Sequence, residues 1–375
     1  MSIQKSNMHR AAKILIEQGK AASVKEAVGQ LEKYRIAIAV GKEAQLNELS
    51  QIALLTAVNS ASRVFMGGVY VVGLDASTPC VTNLSLEPLL CDAVREMGGI
   101  LSASEIDVPT LVIGDVEFLT NSGSACRLSF GGWSGGIIPT EQAALPTEGS
   151  NPLSAVLAAA LGVASCFRHL AGESKDFGSE TSGISLFDPL SDWQSTKGPS
   201  TCLTPSSLWL LGLGHLGQAY AWTLASMRFR DARPLVYLQD FDPIEEANLS
   251  TGMLTSEINI GQMKTRVVSG WLEKRGFSTR IVEQMFSGQF VLGSTEPRIL
   301  LGGLDNLEAR RHLEGPGFDL IVDAGLSPFG GSYDSFTVKA FTGDGRASNS
   351  VSKISSASSI SSYMVARSMV GVLRT

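Results

Sequence analysis

Residues 207–242 read SLWLLGLGHLGQAYAWTLASMRFRDARPLVYLQDFD, and the architecture follows from that segment. An apolar run, Leu208 to Leu211, enters Gly212-x-Gly214-x-x-Gly217. A stretch with Ala219, Ala221, Leu224 and Met227 at helical spacing follows, and a second apolar run, Leu235 to Leu238, leads to Asp240. Strand, glycine turn, helix, strand and acid, in that order, make the opening βαβ unit of a nucleotide-binding sheet. One glycine permits the tight turn, one lets a phosphate approach the backbone, and one lets helix and strand pack closely. The helix N-terminus presents unpaired N–H groups to an anion, and Asp240 stands where an acid can hold ribose hydroxyls.

The chain has 375 residues, room for about two domains with a sizeable core. It is 44% hydrophobic and 18% charged with a net charge of −6, which gives no basic surplus to suggest nucleic acid as a partner. No apolar run approaches the roughly 20 residues of a membrane helix. The longest, Leu153 to Ala164, is broken by Gly162, and the N-terminus lacks a contiguous signal-peptide core, so a cytoplasmic protein without a membrane partner is expected. Cysteines at 80, 91, 126, 166 and 202 form no CxxC pair and suggest neither a disulfide framework nor a zinc ribbon.

Outward from the central segment, the chain keeps an α/β rhythm. Residues 8–34 suit one or two surface helices. Arg35 to Gly41 reads as a strand, Glu43 to Ser62 as an amphipathic helix, and Arg63 to Val72 as a strand ending near Asp75. That order echoes 208–242, with Gly41 alone where three glycines are needed. A helix from Glu87 to Met97 and a strand from Thr110 to Ile113 follow, and the Gly-rich Ser129 to Gly136 reads as a run of turns. Ser150 or Asn151 caps an Ala-rich helix through His169, and residues 172–206 are expected to be a linker or crossover. Past Asp240 the sequence predicts a polar loop, a helix from Ile260 to Arg275, and strands at 278–282, 298–302, 318–323 and 335–341, with a short helix from Leu307 to Leu313. Ser348 to Ser362 reads as a flexible loop, and Tyr363 to Leu373 as a docking helix. The expected fold is α/β: a Rossmann-like, mostly parallel sheet with helices on both faces over 207–375, preceded by a smaller α/β domain over 1–171.

Five polar residues are placed at one sheet edge by this reading: Asp240, Asp242, Asn248, Lys264 and Asp305. A dehydrogenase binding NAD needs only the glycines and Asp240. A nucleoside triphosphate gives the others work, with Lys264 as a point charge for phosphate, Asn248 as a donor and Asp305 as a carboxylate for Mg²⁺. The bland readings are a solvated lysine and a helix-capping Asp-Asn pair.

Four motifs in order carry a resemblance. They are Gly212-Leu213-Gly214-His215-Leu216-Gly217, Asp240-Phe241-Asp242-Pro243-Ile244-Glu245-Glu246-Ala247-Asn248-Leu249, Gly261-Gln262-Met263-Lys264 and Leu304-Asp305-Asn306-Leu307-Glu308-Ala309-Arg310. Over about 208–345 the chain resembles the E1-like superfamily, which includes sulfur-carrier adenylyltransferases and ubiquitin-activating enzymes. More loosely, residues 1–171 are similar to the degenerate, inactive half of two-part E1 proteins. The resemblance implies that the C-terminal carboxylate of a ubiquitin-like or sulfur-carrier protein attacks the α-phosphorus of ATP, giving an acyl adenylate and pyrophosphate. It implies roles too: Gly212, Gly214 and Gly217 with Asp240 and Asp242 at the nucleotide, Asn248 and Lys264 at the phosphates, Asp305 on Mg²⁺. It also implies a homodimer, with residues 1–200 contributing to the interface.

Two positions depart from the family pattern. Thr251 stands where an Arg is usual, which leaves Arg63, Arg266, Arg310 or a partner subunit to supply the charge, and His215 replaces a usual glycine. A non-catalytic, partner-binding relative is therefore an open alternative beside an NAD-dependent oxidoreductase. No cysteine follows Cys202, so a carrier thioester within this chain is not expected.

Overall fold

The computed structural model describes residues 9–117, 124–195, 198–199, 204–229, 232–304, 307–313, 315–326, 335–341 and 352–355. The chain divides into two compact units at residues 200 and 201.

The first unit opens with two short helices, α1 (Arg10–Glu17) and α2 (Val24–Leu31). Ser23 caps α2 by accepting from the Glu26 amide, and Leu15, Leu31 and their alanine neighbours form a small core cluster. Strand β1 (Arg35–Val40) leads into α3 (Glu48–Ala61), whose first amides, of Leu49 and Ser50, donate to the Asn47 carboxamide. Strands β2 (Gly68–Val72), β3 (Ile100–Ser102), β4 (Thr110–Ile113) and β5 (Ala125–Gly131) extend the sheet, with α4 (Leu90–Glu96) between β2 and β3. Strand β6 (Ser134–Pro139), α5 (Pro152–Leu170) and β7 (Ser182–Ser185) complete the unit.

Three expectations change here. The Gly-rich 129–136 is not a run of turns but the core of a hairpin: β5 and β6 pair antiparallel from Cys126↔Pro139 to Gly131↔Ser134, around a tight turn at Gly132 (φ +55°) and Trp133. Residues 172–206 are not only linker, because β7 adds to the edge of β6 as an antiparallel strand. The helix over 43–62 is not amphipathic. Helix α3 is buried on nearly every side, and its Gln51 is satisfied by Gln45, Pro79 and Val81. Asn151, not Ser150, caps α5, while Ser150 accepts from the Gly132 amide. By length and composition α5 is apolar enough to cross a bilayer, longer than the 153–164 run suggested, but 78% of that window is buried within the protein, as a core helix is.

The second unit is built from β8 (Ser207–Leu211), α6 (His215–Ser226), β9 (Leu235–Gln239), α7 (Lys264–Glu273), β10 (Ser278–Val282), β11 (Ile299–Gly302), α8 (Leu307–Arg311), β12 (Leu320–Leu326), β13 (Ser335–Phe341) and β14 (Ser352–Ser355). Part of the Ser-rich tail read as a loop is thus a strand, paired antiparallel with β13, while 363–373 lies outside the described residues. Trp209 Nε1 donates to Gln239 Oε1, and the Trp209 ring meets Phe290 and Phe318 edge-on within an aromatic core that includes Phe286, Leu300, Leu313 and Ile321. Helices α6 and α7 pack through stacked Trp222 and Trp271.

Both sheets have seven strands in the same order. In the first it is β3-β2-β1-β4-β5-β6-β7, in the second β10-β9-β8-β11-β12-β13-β14. The pairing sense matches as well: the first four pairings in each order are parallel, and the last two antiparallel. Each is a Rossmann-like sheet extended by an antiparallel edge.

Candidate functional site in the second unit

In the second sheet β8 has β9 on one side and β11 on the other, so the chain reverses direction across it. Ligands of such sheets bind beyond the strand C-termini at that switch point. Gly212 follows β8 directly at φ +81°, a left-handed conformation that suits glycine, and its amide donates to the Gln239 carbonyl. Helix α6 begins three residues later. A side chain at Gly217 would collide with the Gly212 carbonyl, so only glycine lets α6 sit this close to the turn. A Cβ at Gly214 would meet nothing within 4 Å, and no side chain caps α6. The turn is tight behind and open in front.

Asp240, the residue after β9, fastens this turn. Its Oδ2 accepts from the Leu213 amide at 2.6 Å and its Oδ1 from the Asp242 amide at 2.8 Å. Burial lifts its carboxyl above the ordinary range, against the pull of Lys264 and of both amides. Lys264 opens α7 with its side chain only 11% exposed. Its Nζ donates to Asp242 Oδ2 at 3.0 Å and lies 4.0 Å from Asp240 Oδ1. The Asp242 side chain is 49% exposed, so of the two acids it is the one facing solvent. A bridge between Pro243 and Met263, and the Lys264 amide on the Asp242 carbonyl at 3.1 Å, hold α7 in this position.

Asn248 lies in a short 3₁₀ turn, Glu246–Ser250, where its Oδ1 accepts from the Glu245 amide at 2.9 Å. That bond uses the carboxamide oxygen as acceptor, and the NH₂ group is the side chain's donor. Its carbonyl accepts from Gly252 at 2.7 Å, closing the loop that carries Thr251. Gln218, absent from the sequence reading, ties this loop to the glycine turn. Its Oε1 accepts from Leu254 and its Nε2 donates to Leu213, with the whole side chain buried. A polar residue on the inward face of the helix behind the glycine turn was the available signal.

Asp305 and Asn306 lie outside the described residues, as does Cys202. Gly303 and Leu304 are described, and a Cβ at Gly303 would come within 3.1 Å of Gly212 O, so the segment leaving β11 runs against the glycine turn. The sequence offered three arginines in place of Thr251, and all three are engaged. Arg63, in the first unit, donates to Asn59, and burial pushes its guanidinium down to about 10. Arg266 pairs with Glu283 at 2.8 Å and 3.1 Å. Arg310 donates to the Leu304 and Ala324 carbonyls beside buried Asp323, a further residue the sequence did not single out.

The corresponding corner of the first unit is built differently. Asp75, beyond β2, accepts from the Ser77 amide and hydroxyl at 2.8 Å and 2.7 Å, so it caps its own turn. Its amide donates to Gln45 Oε1, which also receives the Thr78 hydroxyl.

Family profiles match both units: the BilD N-terminal domain over residues 35–186 and the BilD C-terminal domain over 204–369. The bacterial E1-like protein BilD of Collimonas sp. (strain OK412) is 39% identical over 334 residues, which is 87% of this chain and 72% of the relative. The chain belongs to the BilD family of bacterial E1-like proteins. Among solved structures, this BilD-family chain is similar to E. coli MccB crystallised with ATP, at 20% identity and a TM-score of 0.31 over 36% of this chain and 41% of that one. It is also similar to E. coli tRNA N6-threonylcarbamoyladenosine dehydratase, TcdA, at 15% identity and a TM-score of 0.28 over 32% and 52%. Overlaps of that extent carry no conclusion about the chemistry of the BilD-family chain.

Proposed function

We propose that the second unit adenylates the C-terminal carboxylate of a ubiquitin-like or sulfur-carrier protein with ATP. A carboxylate oxygen attacks the α-phosphorus, the bond from that phosphorus to the bridging oxygen of the β-phosphate breaks, and pyrophosphate leaves. Negative charge accumulates at one place, so the chain's task is to gather positive charge and N–H donors there.

The amides at the start of α6 and the open face of Gly214 receive phosphate oxygens. Asp240 keeps the turn in register, and Asp242, the more exposed acid, takes the ribose hydroxyls with it. Lys264, held between the two acids, gives its remaining protons to phosphate, and Asn248 offers its NH₂ group. Mg²⁺ takes hard oxygen donors. A carboxylate on Asp305, one residue past the Leu304 backbone that borders the glycine turn, fits that preference. The ion, when bound, neutralises charge on the phosphates.

The observation that carries this reading is the Asp240 bridge to Leu213 together with Lys264 on Asp240 and Asp242. A glycine turn alone serves many ligands, whereas a nearly buried ammonium set between two acids beside it suits a polyphosphate. ATP–pyrophosphate exchange by the purified protein with a candidate carrier tests the proposal: exchange that is lost in Asp305→Ala supports it, and no exchange with any carrier argues against it. The engaged state of Arg63, Arg266 and Arg310 favours a second reading, a non-catalytic E1-like protein that binds its partner. Nucleotide and carrier binding without exchange is its signature. For the first unit we propose a degenerate adenylation fold, supported by Asp75 turned onto its own loop.

A further inference from the structure

Gln218 is the fourth residue of α6, and its buried side chain carries a hydrogen bond at each end. Nε2 donates to the Leu213 carbonyl at 3.3 Å, and Oε1 accepts from the Leu254 amide at 2.9 Å. A Cβ on Gly252 would stand 2.8 Å from that Oε1, so glycine there lets the loop close on the carboxamide. A carboxamide in a buried helix costs stability unless polar groups satisfy it, and here the backbone does so from both sides of β9.

The first unit repeats the device. Gln51 is the fourth residue of α3 and is buried too. Its Nε2 donates to the Gln45 carbonyl between β1 and α3, and its Oε1 accepts from the Val81 amide in the loop after β2. The two bridges differ at the next peptide group. A trans peptide sets its N–H opposite its C=O. Beyond Gln45, the Leu46 N–H is spent on the Glu43 carbonyl at 3.2 Å. Beyond Leu213, the carbonyl is drawn inward by Gln218, so the Gly214 N–H is turned the other way, at the residue whose Cβ position is open. The Leu213 N–H is itself held by Asp240, so both edges of that residue are fixed.

Resting on the adenylation reading, we infer that Gln218 is a positioning residue for the nucleotide phosphates: by holding the Leu213 carbonyl it aims the Gly214 N–H at a phosphate oxygen, and by holding Leu254 it fixes the loop that carries Asn248 to the same peptide. Gln218 touches no ligand itself. Its effect is confined to the phosphate end of the nucleotide, because the groups it orients are phosphate donors.

The test is calorimetric titration of the full chain with ATP, and displacement of that ATP by adenosine, for the wild type and Gln218→Met, which keeps the side chain's length without its polar atoms. The expected result is a variant that loses about tenfold in ATP affinity, the worth of one hydrogen bond to a charged group, and binds adenosine as the wild type does. Unchanged ATP affinity overturns the inference. So does an equal loss for ATP and adenosine, which is the mark of a general packing role. Should Gln218→Met not fold, by circular dichroism, the wild type decides through its ¹⁵N-glycine spectrum, with the Gly214 signal identified by its loss in Gly214→Ala. A downfield shift of that amide proton with ATP and not with adenosine is expected, and no shift overturns the inference. A wild type that binds no ATP removes the adenylation reading itself, and this inference with it.

Discussion

Asp240 concentrates the logic of the site in one side chain. Both of its oxygens accept backbone amides, so it holds the glycine turn before it meets any ligand. Asp240→Ala is expected to lower stability by about 1–3 kcal/mol, because two amides and the Lys264 ammonium lose a buried partner. It should also raise KM for ATP more than it lowers kcat, since a contact equal in ground and transition states acts through KM. Chemical denaturation and exchange kinetics check both, and an intact KM with a collapsed kcat speaks against the assignment. Asp323 gives a pH prediction. Burial pushes its carboxyl up from 3.8 to about 6, so the folded chain binds the proton more tightly than the unfolded chain does. Stability from this group is therefore greatest below about pH 4, falls as pH rises through 4 to 6, and stays lower above that, by an amount on the order of 3 kcal/mol. Asp323→Asn should flatten that decline, read as denaturation midpoints at several pH values between 4 and 7. Asp240 and Lys264 were legible in the sequence because each sits in a spaced motif. Gln218 and Asp323 were not, because a single buried polar residue acquires meaning only from the backbone groups that surround it.

At the scale of elements, the glycine turn and α6 separate two physical tasks that one motif carries. Gly217→Ala places a methyl against the Gly212 carbonyl and should destabilise the unit by about 1–3 kcal/mol through overpacking. Gly214→Ala meets open space at φ −66°, a value any residue adopts, so the fold should hold while the new methyl obstructs phosphate. Thermal melts with and without ATP distinguish the two: a lower Tm for Gly217→Ala, and an unshifted Tm with lost ATP stabilisation for Gly214→Ala. Equal melting behaviour in both variants contradicts this division. Elements with strong local signals, such as β4, β10 and β13, match the sequence reading. The β5–β6 hairpin and β7 do not, since glycines that look like turns in isolation become strand residues once neighbouring strands satisfy their backbone groups.

Over the whole molecule, two sheets of one topology stand in one chain, and only the second carries the full set of motifs. If the proposed adenylate forms, no described cysteine suits its capture. Cys126 and Cys166 are buried and Cys80 is half-buried, and burial pushes all three thiols up, away from thiolate, while Cys91 is buried with its Sγ 3.6 Å from the Ala76 carbonyl. Incubation with ATP, Mg²⁺ and a carrier is expected to give no reductant-sensitive, carrier-sized shift on a non-reducing gel, and a shift lost in Cys202→Ala contradicts this. The proposed homodimer predicts a mass of twice that of the chain by sedimentation equilibrium at micromolar concentration, which a fully active monomer overturns. The amino-acid sequence by itself determined the α/β alternation, the glycine turn and the acids and lysine around it, because turn sterics, helix periodicity and strand alternation act over a few neighbouring residues. Only the tertiary structure decided that the first unit repeats the strand order of the second, that Asp75 turns away while Asp240 closes the turn, and that Arg310 is bound to carbonyls. Those outcomes depend on which distant backbone groups come within hydrogen-bonding reach, and that is settled when the sheets assemble.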